Sequence, residues 1–103
     1  MSLSAEHEDA TAVEAAAIRL LASREHSRHE LEQKLRRRGH APDLLAATLD
    51  DLQQRGLLSD ERFVAEYVQH RVRRGFGPLR LRAELTERGV TDAIIEQGLE
   101  NAA

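Results

Sequence analysis

Cysteine is missing from this chain of 103 residues, tryptophan is missing too, and the only aromatic rings are Phe63, Tyr67 and Phe76. Without cysteine there is neither a disulfide framework nor a thiolate metal site. The five histidines, His7, His26, His29, His40 and His70, include no HxxxH or HExxH pair on one helix, so surface histidine is expected, with no metal and no cofactor. No apolar run approaches the roughly 20 residues that a membrane span needs. Met1 to Ala12 lacks the basic start and apolar stretch of a secretory leader, which makes a cytoplasmic protein without membrane contact the expectation.

Catalytic constellations are missing as well. Asp50-Asp51 and Asp60-Glu61 are sequence neighbours, so their side chains diverge on a helix and read as a solvated face or as caps. No GxSxG, GxGxxG or phosphate loop is present, and Gly75-Phe76-Gly77-Pro78 lacks the Lys and Ser/Thr that would complete one. The expectation is a protein without enzymatic activity or small-molecule substrate.

What the chain does have is an internal repeat. Shifted by 50 residues, Ala15 falls on Ala65, Arg24 on Arg74, Leu31 on Leu81, Leu35 on Leu85, Gly39 on Gly89 and Leu49 on Leu99. A period of this length marks stacked supersecondary units, each too small to bury its apolar face alone. The remaining apolar mass is Leu, Ala, Val and Ile, and 32% of the residues are charged, a balance suited to helices with long solvated faces.

Start and stop signals divide each unit into three helices. In the first unit, Thr11 and Glu14 have capping-box spacing, with Val13, Ala17, Ile18, Leu20 and Leu21 as the apolar side. Ser27 and Glu30 repeat that spacing ahead of Leu31 and Leu35, and Gly39 offers a left-handed stop. Pro42 suits a first helical turn, followed by the stripe Leu44, Leu45, Leu49 and Leu52, which ends at Gly56. The second unit reads likewise. Ser59 or Asp60 caps a helix carrying Phe63, Val64, Tyr67, Val68 and Val72; Pro78 opens the next, with Leu81 and Leu85; Thr91 or Asp92 caps the last, with Ile94, Ile95 and Leu99. Leu57 and Leu58 at the junction read as buried. The expected fold is all-α, two tandem three-helix repeats making six helices in an elongated array, bent at Gly75 to Pro78. Residues 1–10 are expected as an N-terminal tail, poorly ordered or extending the first helix, with 11–56 as repeat 1 and 57–103 as repeat 2.

Net charge is −3, yet its distribution is uneven. Arg19 to Arg38 holds seven basic residues against three acidic ones, and Arg71 to Arg88 holds six against two. Lys34, Arg37 and Arg38 share one helix side, while Arg71, Arg73, Arg74, Arg80 and Arg82 gather about one turn. These eight residues are the candidate binding set, aimed at phosphates or an acidic protein surface. Reading of a DNA major groove is disfavoured, because the third helix of either unit carries acids, Asp43, Asp50 and Asp51 or Asp92, Glu96 and Glu100.

Several stretches together identify a relative. Ala17 to Leu31, Lys34-Leu35 through Gly39, Gly56 to Val64, Arg71 to Arg74, Gly75-Phe76-Gly77-Pro78 and Leu81 to Val90 resemble the RecX family, bacterial regulators of the RecA recombinase. The resemblance covers about Ala15 to Leu99. It implies a non-enzymatic protein whose partners are RecA and the RecA–DNA filament, with weak or auxiliary DNA binding, restraining strand exchange and the coprotease role of RecA in the SOS response. The alternatives are a helical DNA-binding protein that competes for DNA, which scarce aromatics disfavour, and an unrelated helical scaffold. The family usually carries three repeats where this chain shows two, so the third is expected to be absent.

Overall fold

The computed structural model describes the backbone of residues 2–103 and the side chains of residues 11–103. Within them lie six helices and no strand: α1 (Ser2–Ser23), α2 (Arg28–Arg37), α3 (Pro42–Gln54), α4 (Asp60–Arg73), α5 (Pro78–Glu87) and α6 (Asp92–Ala102). The all-α architecture of two three-helix repeats is therefore the one expected.

Local chemistry sets most boundaries. Ser27 closes a capping box at α2: its Oγ accepts from the Glu30 amide at 3.1 Å, and the Glu30 carboxylate accepts from the Ser27 amide at 3.1 Å. Pro42 and Pro78 stand in the first turns of α3 and α5. The helices α2, α3, α4 and α5 all stop in the same way, with a glycine at positive φ whose amide bonds back three residues while the next amide reaches the carbonyl five residues before it. At α2 these bonds are Gly39 N–H to Arg36 O, 2.9 Å, and His40 N–H to Leu35 O, 3.2 Å, the double bond of a Schellman motif.

Each repeat has its own core. Val13, Ala17, Leu31, Leu35, Leu45, Leu49, Leu52 and Leu58 bury themselves in the first. Phe63, Val64, Val68, Leu81, Leu85, Val90 and Ile95 do so in the second. The extents are 54 × 24 × 22 Å with a radius of gyration of 15.4 Å, against about 13 Å for a compact chain of this length. The body is elongated because the two cores lie in line instead of merging.

Polar bonds sew the repeats together. Asp60 Oδ1 accepts from the Arg28 amide at 2.8 Å, so the first residue of α4 satisfies an orphan donor at the start of α2. Ser27 Oγ donates to the Arg88 carbonyl at 2.8 Å. Arg62 forms an ion pair with Glu25. Gly89, at φ 78°, lies so close to α2 that a Cβ there would fall 2.4 Å from His29 Cβ.

Four expectations need correcting. Thr11 does not cap α1, which is already helical from Ser2; the capping-box pattern falls inside a helix that upstream residues continue. Of the junction pair only Leu58 is buried, while Leu57 is 40% exposed because the Gly56 turn swings it outward. Ile18 and Val72 lie on the outer flanks of their helices and are exposed. His26 is no surface histidine but fully buried in the α1–α2 turn.

Candidate functional site

The eight candidate cations separate into three groups. Around the α4–α5 turn, Glu84 gathers charge from both helices. Arg71 Nη2 donates to Glu84 Oε2 at 2.6 Å, Arg80 Nε donates to the same oxygen at 3.3 Å, and Tyr67 Oη donates to Oε1 at 2.8 Å. Phe76, from the turn itself, has both guanidiniums over its ring, with centroid distances of 3.9 Å to Arg71 and 4.3 Å to Arg80. The ring's negative faces and the carboxylate thus neutralise arginines that would otherwise repel. Hydrogen bonds from Arg71 and then Tyr67 hold the Glu84 carboxyl well below the usual range, at about 2. Burial, with the bond to Glu84 adding to it, pushes the Tyr67 phenol up. Arg82, one turn beyond Pro78, is fixed to Glu96 of α6 by two bonds of 2.6 and 2.9 Å.

The second group is Lys34. Its ammonium does not project with its arginine neighbours but turns to the buried His26, Nζ donating to Nε2 at 2.9 Å. The other imidazole nitrogen, Nδ1, is 3.0 Å from the Arg24 carbonyl. A carbonyl only accepts, so Nδ1 carries the proton and Nε2 is the bare acceptor. Burial keeps His26 below its ordinary pKa, with the Arg24 and Lys34 charges acting in the same direction. Burial likewise lowers Lys34, and Arg24 lowers it further. Beside them Arg24 pairs with Glu30 at 2.9 Å.

The third group is Arg37, Arg38, Arg73 and Arg74. All four are exposed and make no ion pair among the described residues. Each pair closes a helix, α2 or α4, where the backbone carbonyls favour positive charge and leave the guanidiniums facing water. Arg73 also lines a groove of ≈ 390 Å³ between α4 and α6, along with Gln69, Val72 and Asn101. A smaller groove of ≈ 150 Å³ crosses the junction of the repeats, lined by Arg24, Glu25, Phe63, Glu66, Tyr67, His70 and Arg71.

The eight cations that the sequence groups by segment are thus sorted by the structure into paired and exposed ones. Glu84, Phe76 and Tyr67 went unnoticed as the organisers of the second cluster, as did His26 in the first. The 50-residue offset carries a signal for both, since His26 falls on Phe76 and Lys34 on Glu84: each repeat places a ring in its first turn and a charged residue eight positions later, although only His26 and Lys34 bond to each other. Among the described residues no group of His, Asp and Glu side chains is placed to hold a metal, and no helix is long and apolar enough to cross a membrane.

Comparison with known proteins bears on both repeats. Residues 15–52 match the first three-helix domain of RecX, and residues 59–99 match the second. The regulatory protein RecX of Halorhodospira halophila is 52% identical over 91 residues, covering 88% of this chain and 56% of that protein. That of Chromohalobacter salexigens is 52% identical over 87 residues, covering 84% and 57%. The chain thus spans little more than half the length of these curated relatives. Among solved structures, a crystal structure of regulatory protein RecX superposes with a TM-score of 0.87 at 18% identity, over 96% of this chain and 50% of that one. RecX from Lactobacillus salivarius gives 0.86 at 24%, over 94% and 64%. At these identities the superpositions speak for the fold.

Proposed function

The chain belongs to the RecX family, and from that premise we propose that it is a non-enzymatic regulator that binds RecA and its nucleoprotein filament, restraining recombinase and coprotease activity. Residues 11–56 and 57–103 are the two working units of this proposal. The observation that carries it is the division of the arginines. Arg37, Arg38, Arg73 and Arg74 stand exposed at the end of the second helix of repeat 1 and of the first helix of repeat 2, so an elongated body presents two exposed cationic sites, one from each repeat. Two such sites on an elongated body suit a partner that is itself extended and anionic, as a filament of protein and DNA phosphates is. Lys34, Arg71, Arg80 and Arg82 support this surface by holding the turns that carry it.

The test is RecA-dependent ATP hydrolysis on single-stranded DNA with and without the chain, together with the chain's affinity for DNA alone. Hydrolysis falling with added chain is the expected result. Undiminished hydrolysis at saturation overturns the proposal. Tight, steeply salt-dependent DNA binding without any effect on RecA selects competition for DNA instead.

A further inference from the structure

Lys34 is the only lysine of a chain that has fourteen arginines. We propose that the Lys34–His26 pair makes Lys34 an acylation site, taking an acyl group from small acyl phosphates. Three observations support this. Lys34 is partly buried, not fully, which leaves a small donor room to approach. It lies 2.9 Å from an imidazole nitrogen whose partner atoms fix it as a proton acceptor. The charged groups that face it are Arg24, Arg37 and Arg38, with Glu30 as the single carboxylate, so the surroundings favour loss of its proton; burial acts in the same sense and more strongly. An arginine here would keep its proton and remain inert.

The step balances without any further reagent. The Lys34 ammonium releases one proton to solvent, and the neutral amine attacks the carbonyl carbon of the acyl phosphate. The new C–N bond forms as the bond from that carbon to the phosphate oxygen breaks, the phosphate leaving with the electron pair. The surplus proton on nitrogen passes through His26 Nε2 to the departing phosphate. The product is a neutral amide, so one positive charge disappears beside Arg37 and Arg38. That this would weaken partner binding rests on the proposed function, whereas the acylation itself concerns this chain alone.

The second repeat cannot do the same, because Phe76 and Glu84 occupy the places of His26 and Lys34. The experiment incubates the chain with acetyl phosphate, folded in buffer and unfolded in guanidinium chloride, and follows acetylation of Lys34 by peptide mass spectrometry. Folding is expected to speed acetylation by about threefold or more, as for an amine activated by desolvation and a neighbouring base. His26→Phe, checked for helicity by circular dichroism, is expected to remove that gain, and the rate of the original chain is expected to rise at lower pH when folded than when unfolded. Equal or slower acetylation of the folded chain overturns the proposal. A full gain retained in His26→Phe, or lost equally in a His26→Gln variant of native stability and in Lys34-distant controls such as His70→Gln, overturns the part given to His26. None of these readings involves RecA.

Discussion

Ser27 and Arg88, 61 residues apart, are joined by one hydrogen bond: the Ser27 hydroxyl donates to the Arg88 carbonyl at 2.8 Å. The same oxygen accepts from the Glu30 amide. One hydroxyl thus starts a helix in the first repeat and ties off the end of a helix in the second. Ser27→Ala is expected to destabilise the chain by about 1–2 kcal/mol, combining a lost cap with a part-buried carbonyl that loses its partner. Ser59→Ala removes a cap, Ser59 Oγ accepting from the Arg62 amide at 3.1 Å, and a long exposed bond to Glu61 at 3.5 Å, but no bond between the repeats, and is expected to cost less. Denaturant titration of both variants gives the comparison; equal losses would mean that the bond to Arg88 contributes nothing.

Gly98→Ala is expected to destabilise despite the better helix propensity of alanine. A Cβ at Gly98 would lie 2.2 Å from Val64 Cγ1, and Val64 is fully buried on a short, branched side chain that has nowhere to move. Overpacking of this kind costs about 1–3 kcal/mol, against about 1 kcal/mol gained from the helix. The first repeat has Thr48 at the corresponding place, so the close approach belongs to α4 and α6 alone. Thermal unfolding decides the sign.

Acid should weaken the fold in two stages. His26 is held below its ordinary value of 6.5, burial being the main cause, so as pH falls through 6.5 the unfolded chain takes up a proton before the folded one does and stability declines. Glu84 is held at about 2 against an ordinary 4.5; its contribution is complete above 4.5 and disappears as pH falls toward 2. His26→Phe should flatten the first stage and Glu84→Gln the second. Melting curves at stepped pH, read for each variant against the parent chain, show whether each stage vanishes with its residue.

The arginines should divide by role. Replacing Arg37 and Arg38, or Arg73 and Arg74, by glutamine is expected to lower the melting temperature by only a few degrees, through the lost helix-end charges, and to weaken inhibition of RecA; for any DNA contact, the salt slope should fall by about 1 for each phosphate lost. Arg71→Ala should act mainly on stability, lowering the melting temperature by about 5 °C through loss of its stacking on Phe76 and its ion pair with Glu84. Filament inhibition and calorimetry on one set of variants separate the two effects.

Much of this was legible in the chain because the informative signals are local. The capping box at Ser27, the prolines opening α3 and α5 and the glycines closing four helices act within six residues of one another, and the 50-residue offset doubles each signal. Signals that depend on the partner's position were not legible. Asp60 follows Ser59 and looks like an alternative cap for its own helix, yet it serves α2, 32 residues earlier. Arg82 reads as a free cation until α6 places Glu96 against it. Thr11 shows the converse: a genuine local pattern carries no weight where the backbone on its N-terminal side is already helical.

The seam between the repeats also has a direction. Two of its donors, the Ser27 hydroxyl and the Arg28 amide, correspond 50 residues on to Gly77, which has no hydroxyl, and Pro78, which has no amide hydrogen, while His29 gives way to a Leu79 that is 82% exposed. The two units are therefore not interchangeable links: where the first offers a hydroxyl and an amide hydrogen, the second offers Gly77, Pro78 and an exposed leucine. A neighbour seated there could not repeat the two bonds of this joint, so the order of the units along the chain is written into the chemistry of their ends.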